Sequence, residues 1–358
     1  GQHLTMRPMK GTAPRGRTLT EDRRLANALL ESTKNRAENI MILDMVRNDL
    51  GRLAPPGEVE TETICALEKY PTVWQLTSTV TACSEATLAE TFQALFPCAS
   101  ITGAPKAQTM QIIKATEEQP RNIYTGTFGW LVPGRKAHFN VAIRTLLVDR
   151  QKDIATYGVG AGITWDSDSS EEYRECLAKA EVLKQPLSDF ALIETLRWTP
   201  GKGYFVLPEH LARLRASAEY FDFPCSNEQV IEYLCKLAEN FPTTPQRVRL
   251  LLHKDGLLEN TSVPLAAETT SSPLKICLAT EPVHTGEIRL YHKTTRRQLY
   301  EHYLAEAKNV DEVVLWNERG EITECCTANL VVEHAGEFLT PPICSGLLPG
   351  TYREYLLS

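Results

Sequence analysis

The chain has 358 residues, 42% hydrophobic and 23% charged, with a formal net charge of −7 and ten cysteines. That length suffices for two domains that each bury a core, and the acidic balance argues against a nucleic-acid partner. No apolar run reaches the roughly 18 residues of a membrane span, and the first residues lack the basic and apolar regions of a leader, so a cytoplasmic protein with no membrane contact is expected.

Charge divides the chain. Residues 1–185 hold 22 basic and 22 acidic side chains and the remainder holds 16 and 23, so the whole negative excess lies in the second part. The cysteines form no CxxC pair and have no histidine partners at zinc spacing, so reduced core residues are expected rather than disulfides.

The chain opens on Arg7-Pro8-Met9-Lys10-Gly11-Thr12-Ala13-Pro14-Arg15-Gly16-Arg17, which sets one lysine in a Pro/Gly-framed loop among three guanidinium groups. A free lysine, with a pKa of about 10.4, is almost wholly protonated at pH 7, and nearby cations favour its neutral form. The loop therefore reads as an amine nucleophile in a site for an anion. Helical patterns over 20–38, 86–96 and 105–118 mix with strand-like runs at 40–44, 125–132 and 139–148. Glu38 closes the first helical pattern. The stretch Ser100-Ile101-Thr102-Gly103-Ala104-Pro105-Lys106 opens a helix whose N-terminus favours anions. Arg144 falls on an otherwise apolar strand-like run, where a buried guanidinium needs an anionic partner. The run Gly158-Val159-Gly160-Ala161-Gly162 lacks GxGxxG spacing, and Gly160 and Gly162 suit backbone N–H donation to a carboxylate where a Cβ would collide. A charged helix pattern from Glu171 to Lys184 puts Glu172 and Glu175 on one face and stops at Gln185-Pro186.

The second part begins with a strand-like run, Phe190 to Leu196, followed by helix patterns at 208–220 and 227–239, a strand at Val248 to Leu252 and a helix at 296–307. It carries His210-Leu211-Ala212-Arg213-Leu214, then His292-Lys293-Thr294-Thr295-Arg296-Arg297, then Glu321 to Leu330 with Glu324 inside. Short strands joined by turns, rather than uniformly by crossover helices, predict an α+β class with domains at 1–186 and 187–358.

The Lys10 loop, Asn35 to Arg52 and Gly160 to Glu175 resemble the chorismate-utilising family, in its aminodeoxychorismate synthase component I branch. The resemblance implies the C-terminal portion of that family's α/β sandwich, with Lys10 as covalent nucleophile and Glu38, Glu172 and Glu175 as ligands of Mg²⁺. It also implies Thr102, Tyr124, Arg144, Gly160 and Gly162 on bound chorismate. Gln75 stands where many anthranilate-forming relatives carry histidine, which argues against pyruvate elimination in this domain. Residues 188–358 are similar to fold-type IV pyridoxal phosphate enzymes, the class IV aminotransferases, above all aminodeoxychorismate lyase. That similarity implies Lys293 in a Schiff base with pyridoxal 5'-phosphate, Arg213 on the cofactor phosphate and Glu324 on the pyridinium nitrogen, and leaves a homodimer of this domain open.

The two resemblances together imply a bifunctional route to 4-aminobenzoate, with ammonia supplied by a separate glutamine amidotransferase subunit. The family's segment before the lysine loop and its last strands are missing, so the chain is expected to be cut at both ends. Two other readings stay open: a non-catalytic fragment that keeps ligand or partner binding, and an anthranilate synthase component I-like enzyme with an unrelated C-terminal appendage.

Overall fold

The computed structural model describes residues 2–134, 136–165, 167–184, 189–265 and 273–358. The expected domain boundary at 186/187, the helix stop at Gln185-Pro186 and Asp166 lie outside the described residues. The class is mixed α+β, and the chain divides into two compact units: Gly1–Arg15 with Leu25–Leu187, and Gly16–Arg24 with Ser188–Ser358.

The first unit is built on an antiparallel sheet of β1 (Gln2–Met6), β2 (Met9–Pro14), β3 (Val59–Lys69) and β4 (Val73–Ser84). One edge of β4 carries β1 against Val80–Ser84 and β2 against Val73–Thr77, and β3 also pairs with β4. The helical pattern expected over 20–38 is broken into α1 (Leu19–Glu31) and α2 (Thr33–Gly51). Ser32 leaves helical geometry and caps α2 by accepting the Asn35 N–H, satisfying one of the helix's orphan donors. The run 40–44, expected as a strand, is the middle of α2: Leu43, Val46 and Leu50 pack with Val80 and Ala82 of β4. Burial at helical spacing outweighs the strand preference of so short a run.

Beyond the sheet lie α3 (Leu88–Leu95), the single turn α4 (Ala99–Thr102) and α5 (Lys106–Thr116). Two antiparallel hairpins follow, β5 (Thr127–Val132) with β6 (Lys136–Val141) and β7 (Leu146–Asp149) with β8 (Ile154–Tyr157), then α6 (Ser169–Ala180). The continuous strand expected over 139–148 is interrupted between Val141 and Leu146. There Arg144 is exposed and adopts φ +49, a left-handed conformation incompatible with an extended strand.

The second unit contains a sheet in the order β10-β9-β11-β12, formed by β9 (Leu192–Thr199), β10 (Gly203–Tyr204), β11 (Gln246–Leu252) and β12 (Leu258–Pro264). Two helices, α7 (Leu207–Phe221) and α8 (Asn227–Glu239), share its core. Val248, Leu250 and Leu252 point into it while Arg247 and Arg249 stay exposed, the period-two alternation of a half-buried strand. Leu250→Ala is expected to destabilise this unit by about 2–5 kcal/mol in urea unfolding; a loss within 0.5 kcal/mol, roughly the size of a surface effect, would contradict the packing.

A second sheet joins β13 (Ile276–Leu278), β14 (Glu312–Trp316) and β15 (Ile322–Cys325), with α9 (Gln298–Glu306) beside it. The hairpin of β16 (Val332–His334) and β17 (Glu337–Leu339) and the helix α10 (Thr351–Leu357) complete the unit. The segment Gly16–Arg24 packs here too: Tyr220 donates to the Gly16 carbonyl at 2.8 Å and His292 Nε2 to the Arg17 carbonyl at 3.0 Å. All ten cysteines are free; Cys65, Cys325 and Cys326 are buried, but Cys83, Cys235 and Cys344 are exposed, so the core placement expected for them holds only in part. Among the described residues no helix is long and apolar enough to cross a membrane.

Candidate functional site

Lys10 sits where β2 departs from its register with β4, between Met9 and Thr12, and Gly11 beside it has φ +94. Such a bulge re-aims a side chain out of the ladder. Buried Asn39 on α2 accepts from Ser78 Oγ at 2.5 Å and donates to the carbonyls of Lys10 at 2.9 Å and Leu76 at 3.1 Å. Gln75 donates to the Gly11 carbonyl at 2.8 Å and accepts from Thr12 at 3.0 Å. The loop is thus fixed from both sides by amide side chains.

The Lys10 amine lies 3.5 Å from Glu38 Oε2. The three guanidinium groups expected beside it have other partners: Arg7 pairs with Glu68, Arg15 donates to the Tyr70 carbonyl at 3.0 Å, and Arg17 pairs with Glu21 at 2.9 Å within the second unit. The glycine run lies against two side chains, Lys10 and Tyr124. A Cβ on Gly162 would stand 2.6 Å from Lys10 Nζ, one on Gly160 2.8 Å from the Tyr124 hydroxyl, and one on Gly158 2.5 Å from the Tyr124 ring. Burial raises the Tyr124 phenol above its usual pKa, and the nearby Arg121 charge pulls against it.

The other expected residues of this unit are less gathered. Thr102 ends the single turn α4, its hydroxyl on the Cys98 and Gly103 carbonyls at 3.3 Å. The anion-favouring helix start expected at 100–106 falls after Pro105, at α5, and Lys106 there binds buried Asp49 at 2.7 Å. Arg144 is exposed, so the burial argument for an anionic partner does not apply to it. Glu172 accepts from Ser167 at 2.8 Å, and Glu175 pairs with Lys179 at 2.6 Å, whose amine also donates to the Gly160 carbonyl at 2.8 Å.

Among the described residues no three His, Cys, Asp or Glu side chains are grouped to hold a metal ion. The expected convergence of Glu38, Glu172 and Glu175 is therefore not met among the described residues, where Glu38 faces the Lys10 amine and Glu175 the Lys179 amine. The donor set as it stands does not fit Mg²⁺.

In the second unit Lys293 is not in a helix but on an extended segment beside β9: its carbonyl accepts from Ile193 N–H at 2.8 Å and Thr294 bridges to Leu192. Arg296 and Arg297 both line the narrow pocket that holds Lys293, with Arg289, His292, Tyr300 and Leu348. Burial lowers the Lys293 pKa first, and the charges of Arg213 and Arg297 lower it further against Glu194 and Glu324. The charges of Arg213 and Glu324 are thus both felt by this amine. Arg213 grips Glu194 through Nε at 2.9 Å and Nη2 at 2.5 Å, and its Nη1 donates to the Pro349 carbonyl at 3.2 Å. Burial pushes Glu194 up, but Arg213 and His210 hold it below its usual value. A guanidinium has five N–H groups, so these bonds leave Arg213 capacity for an anion.

Glu324 accepts from the Tyr300 hydroxyl at 2.8 Å on Oε1, and from Leu348 N–H at 3.1 Å and Asn329 at 3.2 Å on Oε2. Burial pushes its carboxyl up to about 7, against the downward pull of Tyr300, the Leu348 N–H, Arg297 and Lys293. Burial, then Glu324, raises the Tyr300 phenol well above its usual range. Tyr300, Asn329 and Glu194 were not singled out from sequence; Tyr300 lies seven residues after Lys293, a spacing that leads from the extended segment into α9 and carries no local signal.

A half-buried amine with a lowered pKa, a buried carboxyl close to neutrality and a guanidinium whose charge reaches that amine fit pyridoxal phosphate. The proton on Glu324 also has a thermodynamic consequence. Its folded pKa lies above the usual 4.5, so its stabilising contribution is complete below about pH 4.5 and is lost as pH rises through about 7, a change of about 3 kcal/mol. Urea unfolding at pH 4.5 and 7.5 is expected to reveal this slope, and Glu324→Gln to flatten it; an unchanged slope in the variant would assign the dependence to other groups.

Comparison with known proteins adds the following. Residues 1–185 match the family described as chorismate binding enzyme, and residues 191–358 match amino-transferase class IV. Aminodeoxychorismate synthase of Streptomyces griseus is 42% identical over 182 residues, 50% of this chain and 25% of that protein. Aminodeoxychorismate synthase component 1 of Salmonella typhimurium is 40% identical over 189 residues, 52% of this chain and 41% of that protein. The solved anthranilate synthase component I of Streptococcus pneumoniae is 31% identical, with a TM-score of 0.45, over 51% of this chain and 40% of that one. The chain thus spans less than half the length of the curated relatives it matches.

Proposed function

Because the chain belongs, through residues 1–185, to the chorismate binding enzyme family, we propose that its first unit aminates chorismate to 4-amino-4-deoxychorismate and its second eliminates pyruvate to give 4-aminobenzoate. The observation that carries the reading is Lys10: its amine projects from a pinned bulge to within 3.5 Å of Glu38 and against the glycine wall at Gly162. The matches to synthase relatives and to the class IV family support the two steps in turn.

In the first step the Lys10 amine attacks C2 of chorismate and the 4-hydroxyl leaves. Ammonia then adds at C4 and the Lys10 amine is expelled. Glu38, whose Oε2 is 3.5 Å from that amine, is the base that takes up its proton. Gly160 and Gly162 let substrate approach the backbone, and the Tyr124 hydroxyl beside Gly160 is a donor for a substrate carboxylate. Ammonia comes from a separate glutamine amidotransferase subunit. An anthranilate-type elimination in this unit finds no titratable group at Gln75, whose amide is committed to Gly11 and Thr12.

In the second step pyridoxal phosphate, when bound, supplies the electron sink that stabilises the carbanion left on loss of the C4 proton. Lys293 is the amine that carries it and then moves the proton from C4 to the enolpyruvyl group. Glu324, steadied by Tyr300, Asn329 and Leu348 N–H, is the carboxyl for the pyridinium nitrogen. Arg213, held by Glu194, meets the phosphate. A homodimer of this unit is the proposed assembly. Incubation with chorismate and ammonium, with and without added Mg²⁺, tests the whole reading: aminodeoxychorismate is expected alone, and 4-aminobenzoate once pyridoxal phosphate is added. Formation of anthranilate instead would refute it.

A further inference from the structure

A groove of about 520 Å³ opens on the second unit between the β9–β10 hairpin, the first turn of α7 and α10, and shares no lining residue with the pocket around Lys293. That volume falls in the range of roughly 300–1,000 Å³ usual for small-molecule sites. Its floor is one face of the hairpin. Arg197 and Phe205 are neighbours there, with the Phe205 N–H on the Arg197 carbonyl at 2.9 Å, and Thr199 pairs with Gly203. Gly203 has φ +75 and nothing within 4 Å of where a Cβ would stand, so this position keeps the groove open.

Three charged side chains line the groove without a partner among the described residues: Arg197, Lys202 and Glu209. Arg197 and Lys202 are exposed, and Arg197 lies directly opposite Arg247 in the β9–β11 register. Like charges directly opposite on a sheet face are destabilising, and an anion shared between them offsets the repulsion. The basic face stands in the part of the chain that carries the whole negative excess, so it is a local feature. Glu209 is in the first turn of α7, where an acid suits the helix dipole, but its Oε2 is shut off from solvent without a hydrogen bond. Such an oxygen is costly until an N–H donor reaches the carboxylate. Phe205 and Tyr355, 47% and 50% exposed with centroids 6.0 Å apart, offer faces that a flat ring can cover.

We propose that this groove binds a nucleoside monophosphate, with the phosphate at Arg197 and Lys202, the base on Phe205 and Tyr355, and a base N–H on Glu209. The site is independent of both proposed reactions. A phosphate matches the guanidinium fork, and stacking on an exposed aromatic ring suits any base. Guanine presents a ring N–H and an amino group side by side, which fit the two oxygens of a carboxylate. The broad terminal torsion of a glutamate lets those oxygens turn from the wall toward the groove. A bare anion would leave Glu209 and the rings unused, and an uncharged ring would leave Arg197 and Arg247 opposed.

The test is calorimetric titration of the full chain, without pyridoxal phosphate, with GMP, guanosine and ribose 5-phosphate. GMP is expected to bind about ten- to hundred-fold more tightly than either part, the worth of charge-assisted hydrogen bonds or of a stacked base. Arg197→Gln should cost about tenfold for GMP and nothing for guanosine. Glu209→Gln and Tyr355→Leu should weaken GMP and guanosine alike and leave ribose 5-phosphate unchanged, while Lys236→Gln, at an exposed ion pair on α8, should alter none of the three. Equal affinities for GMP and its parts, no binding of GMP, or GMP affinity that survives the Arg197 and Glu209 substitutions would overturn the site. Affinity lost in Arg213→Gln but kept in Arg197→Gln would overturn it too, by moving the nucleotide to the proposed cofactor site.

Discussion

Lys293→Ala is expected to stop 4-aminobenzoate formation, a fall on the order of a thousand-fold or more, while aminodeoxychorismate still accumulates. The reason lies in how the amine is kept. Burial and the charges of Arg213 and Arg297 lower its pKa, so near neutral pH more of it is the unprotonated nucleophile than in a free lysine. Alanine removes the only atom that can both carry the cofactor and move the proton in the proposed step. Borohydride reduction of the native chain with pyridoxal phosphate should fix the label at Lys293, found by mass spectrometry. Label at another lysine, or undiminished 4-aminobenzoate from the variant, would remove Lys293 from this role.

Lys10→Ala is expected to abolish ammonia-dependent amination by a similar factor and leave the first unit folded. What anchors the loop here is backbone: the Lys10 carbonyl to Asn39 and the Gly11 carbonyl to Gln75. Alanine keeps both bonds, and the lost side chain is only partly buried. Thermal unfolding of the variant should therefore shift little while aminodeoxychorismate, followed by chromatography, disappears. Full synthase activity in the variant would end the covalent reading, and loss of folding would show that the Glu38 pair is structural.

The sequence was informative where a pattern is local and repeated. The α+β class, the helices α7 and α8 and the alternation of β11 follow from spacing that burial merely uses. It was misleading at 40–44, where a short apolar run has no period of its own and β4 decides its fate. Arg144 failed for a related reason: strand-like composition says nothing of a left-handed turn in its middle. For the candidate sites, Lys10, Lys293 and Glu324 were named from ordered motifs and the family resemblances they carry. Their partners were not, because a hydrogen bond such as Tyr300 to Glu324 or Asn39 to Lys10 joins residues on separate elements. The glutamate set came from the family resemblance, and neither it nor the helix spacing of Glu172 and Glu175 shows that Lys10 and Lys179 lie beside two of the three.

The placement of Gly16–Arg24 in the second unit also sets an order of events during synthesis. The Arg17 carbonyl and its partner His292 are 275 residues apart in the chain. At roughly 5–20 residues per second, the segment leaves the ribosome about 15–55 s before His292 exists. Throughout that interval the Arg17 carbonyl is without this partner, and the second unit cannot close around the buried Tyr220 and His292 until its later-made chain recruits a stretch made near the start. A gene divided at the boundary between the two family matches would therefore yield a second polypeptide without its earliest-made piece.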